Sequence, residues 1–278
     1  MKKMFSIYEQ CFPHYPLAEG SFDELLQIGS KSTHVIKASI GAGQNTIGYA
    51  VIRGNSITLL CVLENFRGRG HGAWLLREAE DYLRAKNESH ILLGIADHYI
   101  FQGVPLDYGS VGFFEKYGYR ADEILMNMGL SLAGFDITKL KLREPENVIF
   151  RLAKETDQAA LLLAVKEAEP EFLPFFADYD GVTMLALAEQ KIIGFQMLDV
   201  DGARFKIASP GGRSGSIGCV GIIPDARGQG IGLRMVAEGA NWLKEQGSVS
   251  AHLLYVGLKD WYERIGFQPT SRQWMGKK

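Results

Sequence analysis

The segment Arg67-Gly-Arg-Gly-His-Gly72 returns in the second half of the chain as Arg227-Gly-Gln-Gly-Ile-Gly232, and any fold for this sequence has to accommodate both. Each copy follows an apolar run and opens a helical pattern. Leu75, Ala79 and Leu83 recur on one face in the first copy, and Leu233, Val236, Ala240 and Leu243 do so in the second. Asn87 and Gly247 stand where such helices end. Further on, Phe113-Phe-Glu-Lys-Tyr-Gly-Tyr119 is matched by Trp261-Tyr-Glu-Arg-Ile-Gly-Phe267. Two landmarks in the same order indicate duplication, and 278 residues leave room for two domains of ordinary size. Arg67 and Gly118 are 51 positions apart, Arg227 and Gly266 only 39. The first copy therefore carries about 12 extra residues, which its turn residues place at 99–108.

Upstream of each glycine segment, strand patterns come in pairs: 33–39 with 46–52, and 183–189 with 191–200. Runs 90–95 and 249–256 read as strands that follow the helices. A first strand is expected at 148–153 in the second half, whereas 6–10 and 22–28 read as helices with no such strand before them. The boundary falls near 134–147, at Gly134, the charged run 139–143 and Pro145. Lys and Arg total 30 against 32 Asp and Glu, and neither half is basic, so nucleic acid and anionic membrane are not expected partners. Cys11, Cys61 and Cys219 lack metal-ligand or disulfide-framework spacing, which predicts no metal and a reducing, cytoplasmic setting. The apolar run after Met1 is broken at Glu9 and Pro13, too early for a signal peptide, and the run 182–188 is far too short to cross a membrane.

A glycine-rich turn between a strand and a helix suits an anion, because its amides can close on oxygens at the positive end of the helix dipole. A Walker loop needs GxxxxGK[ST] and a dinucleotide loop needs GxGxxG; glycines at 68, 70, 72 and at 228, 230, 232 fit neither. The pattern that remains, Arg-Gly-x-Gly-x-Gly after an apolar strand with a later aromatic-x-x-x-Gly-aromatic turn, resembles the GNAT superfamily of acyl-CoA-dependent N-acyltransferases. Both halves carry it, so the whole chain resembles a tandem GNAT protein. The resemblance implies an α/β (α+β) fold of two tandem domains, 1–135 and 148–278, each a mixed, mostly antiparallel central sheet flanked by helices. It also implies acetyl-CoA as acyl donor and the primary amine of a small molecule or peptide as acceptor.

Carried over position by position, the resemblance assigns the pyrophosphate of coenzyme A to Arg227, Gly228, Gln229, Gly230, Ile231 and Gly232, and the pantetheine arm to the backbone of Val220, Gly221 and Ile222. The matching residues of the first half are Arg67, Gly68, Arg69, Gly70, His71 and Gly72, with Leu60, Cys61 and Val62. Cys61 itself reads as a small apolar strand residue. Acyl transfer needs a proton for the departing thiolate. Many family members supply it from a tyrosine at the position of Tyr262, where the first half has Phe114, with Tyr108 and Tyr117 close in sequence. Chemistry is therefore expected in the second half, although Tyr255 stands where many members carry Asn. A packing role for the Tyr262 ring stays open beside the catalytic one. Glu64, His98 and His252 are candidates for the base, against the plainer readings of a solvated loop carboxylate for Glu64 and of packing residues for the histidines. The stretch 169–180 could wall an acceptor pocket, and 209–216 reads as a hairpin or lid. Two alternatives to a small-molecule N-acetyltransferase are an acyl-CoA sensor or scaffold without catalysis, and a protein-lysine acetyltransferase.

Overall fold

The computed structural model describes residues 2–41, 45–177, 179–205 and 212–278. In chain order the first half holds α1 (Lys2–Cys11), α2 (Glu19–Leu26), β1 (Thr33–Ile40), β2 (Asn45–Arg53), β3 (Ser56–Val62), α3 (His71–Ala85), β4 (Leu92–Leu93), β5 (Val104–Pro105), α4 (Val111–Lys116) and β6 (Ile124–Ser131). The second holds β7 (Val148–Leu152), α5 (Gln158–Ala168), α6 (Leu173–Ala177), β8 (Val182–Ala188), β9 (Lys191–Asp199), β10 (Arg213–Ile222), α7 (Ile231–Glu245), β11 (Ser248–Val256), α8 (Lys259–Glu263) and β12 (Gln268–Trp274). The paired strands, the helices after both loops and the strand at 148–152 match the sequence expectations. The run 90–95 does not: only Leu92 and Leu93 pair, because the chain leaves the sheet at Gly94. Of the expected lid, residues 213–216 are the regular start of β10, and 209–211 lie outside the described residues.

Two compact units form, and they are not two consecutive halves: Phe205 falls in the first unit. Residues 271–278 complete the first unit, while 127–131 belong to the second. In the first unit the sheet runs β1-β2-β3-β4, antiparallel except for β3 and β4. Alternation along β2 decides which layer each residue meets. Ala50 and Ile52 join Leu75, Leu76, Ala79 and Leu83 of α3, whereas Tyr49 and Val51 join Met4, Ile7 and Tyr8 of α1 and Phe22 of α2. The chain's last residues pack on this unit too: Trp274 pairs with Val104, and Lys278 Nζ reaches buried Glu80 at 3.0 and 3.1 Å.

The second unit repeats the plan. Its strands run β7-β8-β9-β10-β11 with β6 beyond; β7 to β10 pair antiparallel, and β10 and β11 are parallel. On β9, Phe195 stacks edge-on against Phe176 of α6, and its neighbour Gln196 turns to the other face and donates to the Met235 carbonyl of α7 at 2.7 Å. Among the described residues no helix is long and apolar enough to cross a membrane, and no three His, Cys, Asp or Glu side chains gather as metal ligands would.

Candidate functional site

The two glycine loops have one geometry. Gly68 and Gly70 hold φ of 71° and 87°, and Gly228 and Gly230 hold 77° and 85°. These are left-handed conformations that side chains resist. The third glycine of each loop serves packing instead. A Cβ on Gly72 would lie 3.7 Å from the Phe113 ring of α4, and one on Gly232 only 3.2 Å from the Trp261 ring of α8. Gly70 and Gly230 are the N-caps of α3 and α7, whose first turns carry no acidic side chain, so the positive ends of both helix dipoles face the loops unopposed.

Ahead of each loop two parallel strands separate. Pairing of β3 with β4 ends at Ile57 and Leu93, and pairing of β10 with β11 ends at Ser216 and His252. A bulge bends each inner strand. In β3 it falls at Thr58, since Val51 faces Leu59 but Ile52 faces Ile57; in β10 it falls between Gly218 and Gly221 and puts Cys219 at φ 47°.

In the first unit the separation opens a cleft of about 500 Å³. Its walls include Leu60, Cys61 and Val62 of β3 together with Arg67, Gly68, Gly70 and Gly72 of the loop. Cys11 and Phe12 enter from the end of α1 and Phe114 and Lys116 from α4, with Tyr117 just beyond it. Phe101, Val104 and Tyr108 come from the insertion expected at 99–108. That insertion is held rigidly. Gly94 and Gly103 lie back to back, a Cβ on Gly94 meeting the Gly103 nitrogen at 2.6 Å. Buried Arg53 clamps Asp97 through two bonds of 2.7 Å, which hold the Asp97 carboxyl below the usual carboxylate range. Phe101 is buried against Phe12, Tyr15 and Phe205, and Tyr108 meets Phe12 edge-on at 5.4 Å. Arg69 and His71 belong to the same loop but do not line the cleft.

Cys11, Phe12 and Phe101 had no sequence signal as site residues. Only their return to one wall of the fold brings them together. Burial and the neighbouring Asp107 and Cys11 charges push the Tyr108 hydroxyl up, against the bond it accepts from the His14 amide at 3.3 Å. The Cys61 hydrogen bond and the nearby Arg67 guanidinium draw the Cys11 thiol well down, and burial pushes Cys61 up.

The second loop is dressed differently. The stem of Arg143 lies over Gly230, 3.1 Å from where a Cβ would stand, and Arg234 of α7 pairs with Glu144 and Glu238. Arg227 bonds the Ala168 carbonyl at 3.0 Å and Glu169 at 3.1 Å, so the acid at the start of the 169–180 stretch is engaged by the loop. Phe176 in that stretch is core, and Phe175 is exposed. Tyr262 lies on α8, edge-on to Trp261 at 4.7 Å. Burial lifts its hydroxyl to about 12, and among the described residues it makes no hydrogen bond. His252 is tied to Ser250 at 3.0 Å, His98 lies beside the Arg53–Asp97 clamp, and Glu64 is exposed.

The model of the Acetyltransferase (GNAT) family matches this chain twice, at residues 1–119 and 149–267. Among curated proteins, the chain is 29% identical to a mycothiol acetyltransferase of Geodermatophilus obscurus over 57% of its length and 56% of that protein's. It is 27% identical to one of Saccharomonospora viridis, over 82% of this chain and 78% of that protein. It thus spans little more than half of the first relative. Solved structures give the same fold. A glucosamine N-acetyltransferase region of a fungal multi-domain β-N-acetylglucosaminidase superimposes with a TM-score of 0.81 at 23% identity, covering 98% of this chain and 36% of the other. A tandem GNAT protein from the clavulanic acid biosynthesis pathway does so with 0.68 at 13%, covering 100% and 94%. With the paired loops, the parted strands and a family match in each half, the chain belongs to the acetyltransferase (GNAT) family.

Proposed function

We infer that the protein is an N-acetyltransferase that moves the acetyl group of acetyl-CoA to the primary amine of a small molecule or peptide, and that the first unit's cleft holds the donor. The observation that carries this is the continuity of that cleft. It runs from the Arg67–Gly72 loop along the edge of β3 that β4 has left to an aromatic end formed by Phe12, Phe101 and Tyr108. Loop amides and the α3 N-terminus suit the pyrophosphate, the Leu60–Val62 backbone suits the amides of pantetheine, and the aromatic end suits an acceptor with an apolar body. In the transfer a neutral amine attacks the thioester carbonyl, the C–N bond forms, the C–S bond breaks, the nitrogen gives up a proton to a base or to water, and the CoA sulfur leaves as a thiolate that takes a proton. Phe114 has no proton to give, but Tyr108 and Tyr117 in the cleft do. The likeness to mycothiol acetyltransferases supports acetyl transfer as the reaction class.

Tyr262 favours a second reading, with chemistry in the second unit, since its hydroxyl stays protonated at neutral pH as a donor to thiolate must. One experiment separates the two. CoA released from acetyl-CoA is followed by chromatography over a panel of primary amines and their quaternary analogues, for the wild type, Gly70→Asp and Tyr262→Phe. The expected result is release that depends on an N–H, is lost in Gly70→Asp and survives in Tyr262→Phe. The reverse pattern moves the chemistry to the second unit, and release indifferent to the amine contradicts N-acetylation.

A further inference from the structure

Cys11, at the end of α1, and Cys61, on β3, both line the first cleft and belong to one buried cluster with Tyr8 and Tyr49, and both thiols are free. The duplication supplies an internal comparison. Where the first unit has Cys61 opposite Tyr49, the second has Gly221 opposite Phe195, and a Cβ there would strike that ring at 2.2 Å. Where α1 ends in Cys11, α5 ends in Ala168. Neither thiol is needed to build the fold, because the other copy builds it without either. Each is about 95% buried, so a small reagent reaches the pair only by way of the cleft. Arg67 stands beside Cys11 and stabilises a thiolate there, while Cys61 keeps its proton.

We propose that Cys11 and Cys61 form a hydroperoxide-reactive thiol pair that closes to a disulfide across the cleft wall, and that bound acetyl-CoA shields the pair from oxidation. Only the shielding rests on the assignment of acetyl-CoA to this cleft. The Cys11 thiolate attacks one oxygen of hydrogen peroxide, an S–O bond forms, the O–O bond breaks, and hydroxide leaves. The Cys61 sulfur then attacks the sulfenic sulfur, the S–S bond forms, and the hydroxyl departs with the Cys61 proton as water. Two electrons pass from the two sulfurs to the peroxide. Cys219, whose thiol burial pushes up to about 11, serves as the slow internal control.

The test uses the full chain and stoichiometric hydrogen peroxide, with free thiols counted after denaturation and disulfide-linked peptides identified by mass. Two of the three thiols are expected to disappear, and one linked peptide to join Cys11 to Cys61. In Cys61→Ser the reaction is expected to halt at a Cys11 sulfenic acid that a diketone reagent traps, and in Cys11→Ser neither remaining thiol reacts at the wild-type rate. Acetyl-CoA well above its Kd is expected to slow disulfide formation about tenfold or more. Survival of all three thiols, or equal behaviour of the two serine variants, overturns the pair. An unchanged rate in protein that calorimetry shows to be loaded with acetyl-CoA overturns the shielding. Disulfide formation in protein that binds no acetyl-CoA at all supports the pair and counts against the cofactor assignment instead.

Discussion

Arg67 Nε donates to the carbonyl of Val62 at 2.9 Å, so the side chain that opens the glycine loop ties it back to the last residue of β3. Arg227 and Ile222 repeat the bond at 3.0 Å. The duplication has kept a geometry as well as a motif: the planar guanidinium spans the turn while the amides of the next residues stay available. Lysine carries the same charge but has no Nε donor in that place. Arg67→Lys is therefore expected to weaken acetyl-CoA binding about tenfold, the worth of one hydrogen bond, with little change in melting temperature. Calorimetric titration and thermal denaturation together check it; unchanged affinity removes the loop-bracing role.

The third glycines give a differential prediction on stability. Gly72→Ala puts a methyl at ordinary contact distance from Phe113 inside a helix, and is expected to stabilise the first unit by up to about 1 kcal/mol through helix propensity. Gly232→Ala presses on the Trp261 ring at 3.2 Å and is expected to lose most or all of that gain. Urea denaturation of both variants makes the comparison; equal effects would show that the rings do not set the spacing.

The Arg53–Asp97 clamp is expected to show itself in the pH dependence of stability. The Asp97 carboxyl titrates below its unfolded value because Arg53 hydrogen-bonds its charged form. Its contribution is thus complete above the unfolded pKa and fades as pH falls through the folded one. Asp97→Asn keeps one acceptor oxygen but loses the charge and one of the two bonds to buried Arg53, and because the Asp97 side chain is itself largely exposed the expected cost is about 1 kcal/mol at neutral pH. The difference from wild type should shrink in acid. Denaturant melts at neutral pH and in acid measure it, and a difference that grows in acid contradicts the assignment.

Lys278 caps buried Glu80, which Arg84 also holds at 2.6 Å. Lys278→Met removes one of the two cations from a carboxylate that is 5% exposed. A loss of roughly 1–3 kcal/mol is expected, smaller than for a fully uncompensated buried charge because Arg84 stays. Hydrogen exchange should show it at α3, where Glu80 sits; protection lost only in the second unit contradicts the packing of 271–278 on the first.

Much of this fold was legible in the sequence because its periodic elements are repeated. Leu75, Ala79 and Leu83 announce α3, and all three are fully buried; Leu233, Val236, Ala240 and Leu243 announce α7 in the same way. Asn87 and Gly247 take the left-handed conformation expected at the helix ends. What pattern could not supply was any feature settled by long-range packing. The strand expected at 90–95 shrinks to two residues because Gly94 must pass against Gly103. The placement of 127–131 and 271–278 follows from strand partners that no local signal names. Cys11 carried no site signal, since its role at the cleft depends on Cys61 and Arg67, far away in sequence. Tyr262 drew its expectation from a motif, whereas the cleft assembled around Phe114 owes its walls to an insertion whose fold no motif describes.

The most direct measurement is acetyl-CoA titration of Gly70→Asp beside Gly70→Asn and the matching pair at Gly230. Asn and Asp are the side chains best suited to a left-handed site, so the two variants at each loop share their backbone strain and differ in charge. With the donor in the first cleft, Gly70→Asn binds and Gly70→Asp does not, while both Gly230 variants retain that binding. Loss confined to Gly230→Asp, or equal binding by Gly70→Asp and Gly70→Asn, contradicts it.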